Sequence, residues 1–182
     1  MAARFCVRCG RRLGSVREDG RLRHRCRVCG WTFYGNPVPA VAALVVRRGR
    51  VLLTRRARPP YAGLWDLPGG FLEGGETPEV GLRRELREEL GMKVRRARLV
   101  TLLTDRYGTQ GFPILALIYR VTPEPGRLRP GDDVTEARWF PRTRLPLRAV
   151  AFASNRRVLR AELAPSRLRG KKRPARAGSS RA

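Results

Sequence analysis

The sequence predicts an α+β protein: a mixed sheet between helices over residues 34–164, preceded by a small separate module over residues 1–33. Three observations lead there. Apolar runs of strand length interleave with two stretches of helical periodicity between residues 34 and 164. All four cysteines fall within the first 29 residues, among short turns punctuated by glycine. Residues 165–182 contain one large apolar side chain, Leu168, and no acid. Such a segment cannot bury enough surface to offset its ordering entropy, so a disordered basic tail is expected there.

The elements follow in chain order. Val41–Val46 and Val51–Thr54 flank Arg48-Gly49-Arg50 and read as a β-hairpin. Leu64–Leu67 is a short apolar stretch before the turn at Pro68-Gly69-Gly70. Thr77 is placed as a helix N-cap, with Pro78 at the first helical position, where its missing N–H costs nothing. Glu79 in the first turn suits the helix dipole, and Gly91 supplies the stop. The helix is therefore expected over 78–90. Strands are expected at Val100–Thr104, Phe112–Val121 and Ala137–Phe140, and an amphipathic helix from about Arg148 to Leu163.

Length and composition narrow the classes of function. A chain of 182 residues holds one ordinary core plus a small appended module. No run approaches the roughly 20 apolar residues of a membrane helix, and no apolar leader opens the chain. A soluble cytoplasmic protein without membrane contact is expected. The net charge is +25, and 37 of the 40 basic residues are arginine. The excess is spread along the chain, which fits a GC-rich coding bias; a polyanion-binding surface is the other reading.

The cysteines form two pairs, Cys6-x2-Cys9 and Cys26-x2-Cys29, sixteen residues apart and each followed by glycine. Two thiolates three positions apart wrap one tetrahedral ion, and the glycine lets the knuckle turn. The spacing points to structural Zn²⁺ in a zinc ribbon. Four free or disulfide-paired thiols are the alternative, which reducing conditions disfavour. His24 is read as an ordinary surface residue, since four thiolates already complete the shell.

The chemistry narrows by elimination. One histidine, placed in the ribbon, makes a Ser-His-Asp or Cys-His apparatus hard to build, and no Gly-x4-Gly-Lys-Ser/Thr loop exists. Carboxylate and metal chemistry remain. Glu85, Glu88 and Glu89 span an arc of roughly 100° on the helix, and Leu82, Leu86 and Leu90 occupy the next ~80°. The acids thus border the buried stripe. Divalent Mg²⁺ or Mn²⁺ would relieve their mutual repulsion. The alternative is a solvated face paired with Arg83, Arg84 and Arg87.

From Gly70 the chain reads Gly70-x5-Glu76-x7-Arg84-Glu85-Leu86-x-Glu88-Glu89-x-Gly91-Met92, matching the Nudix box at every position. The four-cysteine ribbon, the lead-in Tyr34-Gly35-Asn36-Pro37, the approach Trp65-Asp66-Leu67-Pro68-Gly69-Gly70 and the late run Glu136-Ala137-Arg138-Trp139-Phe140 resemble ribbon-bearing bacterial Nudix hydrolases of the ADP-ribose or NADH pyrophosphatase type. The resemblance implies an α/β/α sandwich and cleavage of a phosphoanhydride by water. It also implies roles. Glu85, Glu88, Glu89 and the Gly69 carbonyl would hold the divalent ions, while Arg84 and Glu76 would brace loop and helix. The general base would be a box glutamate or a later acid: Asp132, Asp133 or Glu136. Tyr61 and Trp65 are candidates to stack a base, with core packing the other reading of Trp65.

Bacterial NADH pyrophosphatases carry a Ser-Gln-Pro-Trp-Pro-Phe-Pro-x-Ser run after the box, and this chain has none. An ADP-ribose-like nucleoside diphosphate is therefore the first expected substrate. Two alternatives stay open: a nucleic-acid-binding protein built on ribbon and basic surface, and a Nudix enzyme acting on an RNA 5′ end. The sequence also leaves a homodimer open.

Overall fold

The computed structural model describes residues 3–108, 111–131 and 133–163. The expected tail at 165–182 and Asp132 lie outside the described residues.

The N-terminal segment forms a three-stranded antiparallel sheet. β1 (Leu13–Glu18) pairs with β2 (Arg21–Cys26), and β2 with β3 (Thr32–Phe33). The turn between β1 and β2 is Asp19-Gly20, both at positive φ, which matches strand twist in a two-residue hairpin. These strands are largely polar, so apolar patterning did not announce them; the expectation held only turns here.

The second sheet contains β4 (Val38–Arg47), β5 (Arg50–Arg56), β6 (Trp65–Asp66), β7 (Val94–Arg106), β8 (Pro113–Pro123) and β9 (Val134–Pro141). Its order is β6-β5-β4-β8-β7, with β9 paired to β5. β4 and β8 run parallel while the other pairs are antiparallel, so the sheet is mixed. β4 alternates across its two faces. Val41, Ala43 and Val45 join Leu82, Leu86 and Leu90 of α1 (Pro78–Leu90). Ala42 and Leu44 face Val158 and Leu159 of α2 (Ala153–Leu163) on the other side. A period of two on a central strand thus makes two cores, and the sheet sits between helices.

The expected hairpin closes through Arg48 and Gly49 at positive φ, with Arg47 opposite Arg50. Helix α1 has the expected bounds: the Thr77 hydroxyl accepts from Val80 N, and Gly91 ends it at φ 61°. Two expectations needed correction. β7 begins at Val94 rather than Val100, because backbone pairing to β8 carries it through the exposed Arg95, Arg96 and Arg98. The closing helix begins at Ala153, not near Arg148. Val150 instead bridges to Trp65, and Ala151 N donates to the Trp65 carbonyl at 2.8 Å. The Asp105 carboxylate then takes Ser154 N at 2.7 Å, a cap supplied from β7 rather than from the helix's own sequence. No described helix is long and apolar enough to cross a membrane.

Candidate active site in a carboxylate-lined cleft

The loop before α1 is pinned to the sheet before it reaches the helix. Val41 N donates to the Gly70 carbonyl and Ala43 N to the Pro68 carbonyl, both at 2.8 Å. At Gly69, φ is +140°, and a Cβ would stand 2.2 Å from the Val41 carbonyl oxygen. Only glycine fits so close an approach. The loop in turn meets α1: Gly69 N donates to Glu89 Oε2 at 3.0 Å, and a Cβ on Gly70 would lie 2.6 Å from the Glu85 carboxylate.

Arg84 ties this loop to the helix. Its Nε and Nη2 grip both Glu76 oxygens at 2.7 and 3.0 Å, and Nη2 also reaches the Phe71 carbonyl. Nη1 donates to Glu85 at 2.8 Å and to Glu88 at 3.0 Å. The Arg84 fork holds Glu76 down to a pKa of about 2, and Arg84 is itself held charged. The three box glutamates differ in environment. Glu88 is half exposed, Glu85 is partly buried, and Glu89 is 9% exposed. Burial raises Glu85, with Arg84 opposing. Burial pushes Glu89 to about 9, with the charges of Glu85, Asp66 and Asp133 adding to it and the Gly69 N–H opposing. Among the described residues no basic side chain pairs with Glu89.

These acids line one cleft of about 420 Å³, together with Gly69, Arg84 and Asp133. Glu76 braces the loop from behind. Three other expected residues are not brought to the cleft wall. Glu136 points to the flank of β9, where it pairs with Arg138 and, at 3.9 Å, with Arg55. Trp65 is 9% exposed and packs edge-on against Phe140 in the core facing α2. Tyr61 stands one ring behind the wall, edge-on to Phe152 at 5.3 Å.

The aromatic wall is built by other residues: Phe71, Tyr107 and Phe152. Tyr107 stacks on Phe152 with centroids 5.8 Å apart and meets Phe71 at 5.0 Å. Arg56 lies over both Tyr107 and Phe152 and donates to the Tyr107 hydroxyl. It also donates to the Pro60 carbonyl and pairs with Asp66, a buried acid that accepts from Leu67 N and Asn155 Nδ2. Burial raises Asp66 to about 6, with Asn155 and Arg56 opposing. The one available signal for Asp66 was a carboxylate set inside an apolar stretch. Nothing local marks Asn155 or Phe152, because folding brings them across from the start of α2.

The cysteines make a different kind of cluster. Their four sulfurs lie within 4.8 Å of one another, and three of the separations are 3.5, 3.5 and 3.6 Å. A tetrahedral ion with Zn–S near 2.3 Å would space its sulfurs about 3.8 Å apart. No disulfide joins them. Each pair closes the same knuckle: Gly10 N donates to the Cys6 carbonyl and Gly30 N to that of Cys26, with both glycines at positive φ. His24 stands outside this group.

Known proteins match this architecture. The family model described as NUDIX domain matches residues 36–161. An ADP-ribose pyrophosphatase of Methanocaldococcus jannaschii is 30% identical over 116 residues, covering 64% of this chain and 69% of that protein. A NAD-capped RNA hydrolase NudC of Chromobacterium violaceum is 34% identical over 161 residues, covering 86% of this chain and 57% of that protein. The chain therefore spans less than two thirds of the latter's length. Among solved structures, a NUDIX hydrolase from Nitrosomonas europaea superposes with a TM-score of 0.69 at 28% identity, covering 88% of this chain and 90% of that one. A glycine-rich loop pinned to a mixed sheet, a glutamate-bearing helix behind it and these matches lead to one conclusion: the chain belongs to the Nudix hydrolase family.

Proposed function

We propose that this protein hydrolyses the phosphoanhydride of a nucleoside diphosphate joined to a second moiety, with an ADP-ribose-like compound as the first substrate. One observation carries the reading: Glu89 is a buried carboxylate without a basic partner, in a cleft that also holds Glu85, Glu88 and Asp133. So many acids together fit a divalent cation. The donors are all oxygen, which selects hard ions, Mg²⁺ or Mn²⁺. Glu85, Glu88 and Glu89 with the Gly69 carbonyl would hold them, and the four cysteines would hold structural Zn²⁺. Bound there, such ions would polarise phosphoryl oxygens and lower the pKa of water.

The chain's own groups supply the rest. Arg84 and Glu76 fix the loop against α1, so the donors keep one geometry. Arg56 and Arg58 face the cleft and meet the substrate's phosphates. Asp133 would take the proton of the attacking water; that it lines the same wall, as Glu136 does not, supports this role. Phe71, Tyr107 and Phe152 provide the apolar wall for the base, in place of Trp65 and Tyr61. A second reading, action on a capped RNA 5′ end, is favoured by the NudC match. That match covers 86% of the chain, more than residues 34–182 contain, so it reaches into the cysteine segment.

The test is product release from ADP-ribose, NADH, dinucleoside polyphosphates and capped RNA with Mg²⁺ or Mn²⁺. AMP and ribose 5-phosphate from ADP-ribose are expected. No turnover of any substrate by folded, zinc-loaded protein would overturn the proposal.

A further inference from the structure

A second concavity, of about 490 Å³, lies beyond the C-terminal end of α1. Four cations line it, Arg47, Lys93, Arg127 and Arg129, against one carboxylate, Glu124. None of the four is in an ion pair among the described residues. The partly buried Trp139 forms another part of its wall.

Cations beside a helix C-terminus often do no more than satisfy its last carbonyls. Here backbone groups already do so for Arg87, Glu89 and Leu90, three of the last four. The carbonyls of Leu86, Arg87, Glu89 and Leu90 accept from the N–H groups of Met92, Gly91, Gly131 and Arg129. The four positive charges are thus left without a structural partner, in a concave site beside an indole. That combination fits a ligand carrying several phosphates and a flat ring.

We propose that this groove binds the phosphate chain of a nucleotide or of a single nucleic-acid strand, with Trp139 against a base. Its place relative to the cleft favours the strand. Gly91 follows Glu88 by three residues, on the same side of α1 and about 4.5 Å further along its axis. Two residues close in sequence lie one on each: Arg129 lines the groove and Asp133 the cleft. A strand whose 5′ anhydride occupies the cleft would lay its following phosphates in the groove. This last step rests on the proposed hydrolysis; binding in the groove does not.

The experiment measures binding to the full chain with Mg²⁺ and Mn²⁺ left out, so that no turnover intervenes. The probes are a short 5′-fluorescent oligoadenylate and free ATP, over a range of salt. The variant carries Arg47→Gln, Lys93→Gln, Arg127→Gln and Arg129→Gln, all at exposed positions. For the oligonucleotide, the log–log salt slope should become shallower by about 0.7 for each phosphate no longer neutralised, or roughly 2–3 in all. ADP-ribose turnover should persist. Loss of oligonucleotide binding alone supports the strand, and loss of ATP binding alone supports a free nucleotide. Trp139→Phe, with Arg127→Gln and Arg129→Gln singly, repeats the test should the fourfold variant fold poorly. Affinity and slope unchanged for both probes would overturn the proposal. Failure of the hydrolysis reading would show separately, as absent turnover in the unaltered protein.

Discussion

The two candidate metal centres of this chain are built on opposite physical terms. In the ribbon, four sulfurs stand within 4.8 Å of one another, and two knuckles with the same hydrogen bonds hold them there. In the cleft the acids share a wall, yet the cysteines are the one such tight group of ligand atoms among the described residues. The difference is one of charge and purpose. A site that only staples the fold needs its donors assembled and its shell closed. Carboxylates repel without a cation between them, and a site that handles substrate must keep coordination positions open. Arg84 offsets part of that repulsion by pairing with Glu85 and Glu88.

Four experiments would break or sharpen this contrast. The largest effect is expected in the ribbon, since structural zinc is worth about 10–16 kcal/mol in isolated ribbon-like peptides. Cys26→Ser, or a zinc chelator, should make residues 3–33 sensitive to protease while hydrolysis persists, because no ribbon residue lines the cleft. Loss of turnover together with the ribbon would show that the two regions are not independent.

Next come the aromatic residues. Trp65→Ala should cost about 3–5 kcal/mol of stability, measured by denaturant unfolding, as for a large core side chain. Tyr107→Ala should instead raise KM with a smaller loss of stability. The reverse pattern would return base recognition to Trp65.

In the cleft, Glu85→Gln or Glu89→Gln should lower turnover by at least about 100-fold, the upper end of what outer-shell changes cause at metal sites. The fold should survive, as read by the unfolding midpoint. Retained activity would remove these glutamates from the reaction.

The effect smallest per step concerns protons: one proton changes stability by at most about 1.4 kcal/mol for each pH unit. Glu89 titrates at about 9 in the folded protein against an ordinary 4.5. Between those values the folded state binds more protons than the unfolded one, so stability of protein free of Mg²⁺ and Mn²⁺ should fall as pH rises from about 4.5 to 9. Glu89→Gln should flatten that decline, measured as denaturation midpoints across the range. An unchanged pH profile in the variant would show that Glu89 is not held protonated.

Local signals located α1 and the two cysteine knuckles, because a cap, a stop or a turning glycine acts within a few residues. Thr77, Pro78 and Gly91 bound α1 where expected, and Gly10 and Gly30 turn the knuckles. The same locality explains the failures. The start of α2 is set by Asp105 and Trp65, distant in sequence, so helical periodicity overran it into 148–152. Likewise β7 extends on backbone bonds to β8, which apolar patterning cannot register.

By itself, then, the sequence determined the box, the thiol pairs and the helix carrying Glu85, Glu88 and Glu89, since each lies in one short stretch with its own spacing rule. Only tertiary structure decided that Asp133 faces the cleft while Glu136 pairs on a flank, and that Phe152 and Tyr107 form the aromatic wall while Trp65 is sealed in the core. The reason is that a side chain's neighbours are set by which strands pair and which helix covers each face. Such pairings join residues as distant as Asp66 and Asn155, and no local pattern encodes them.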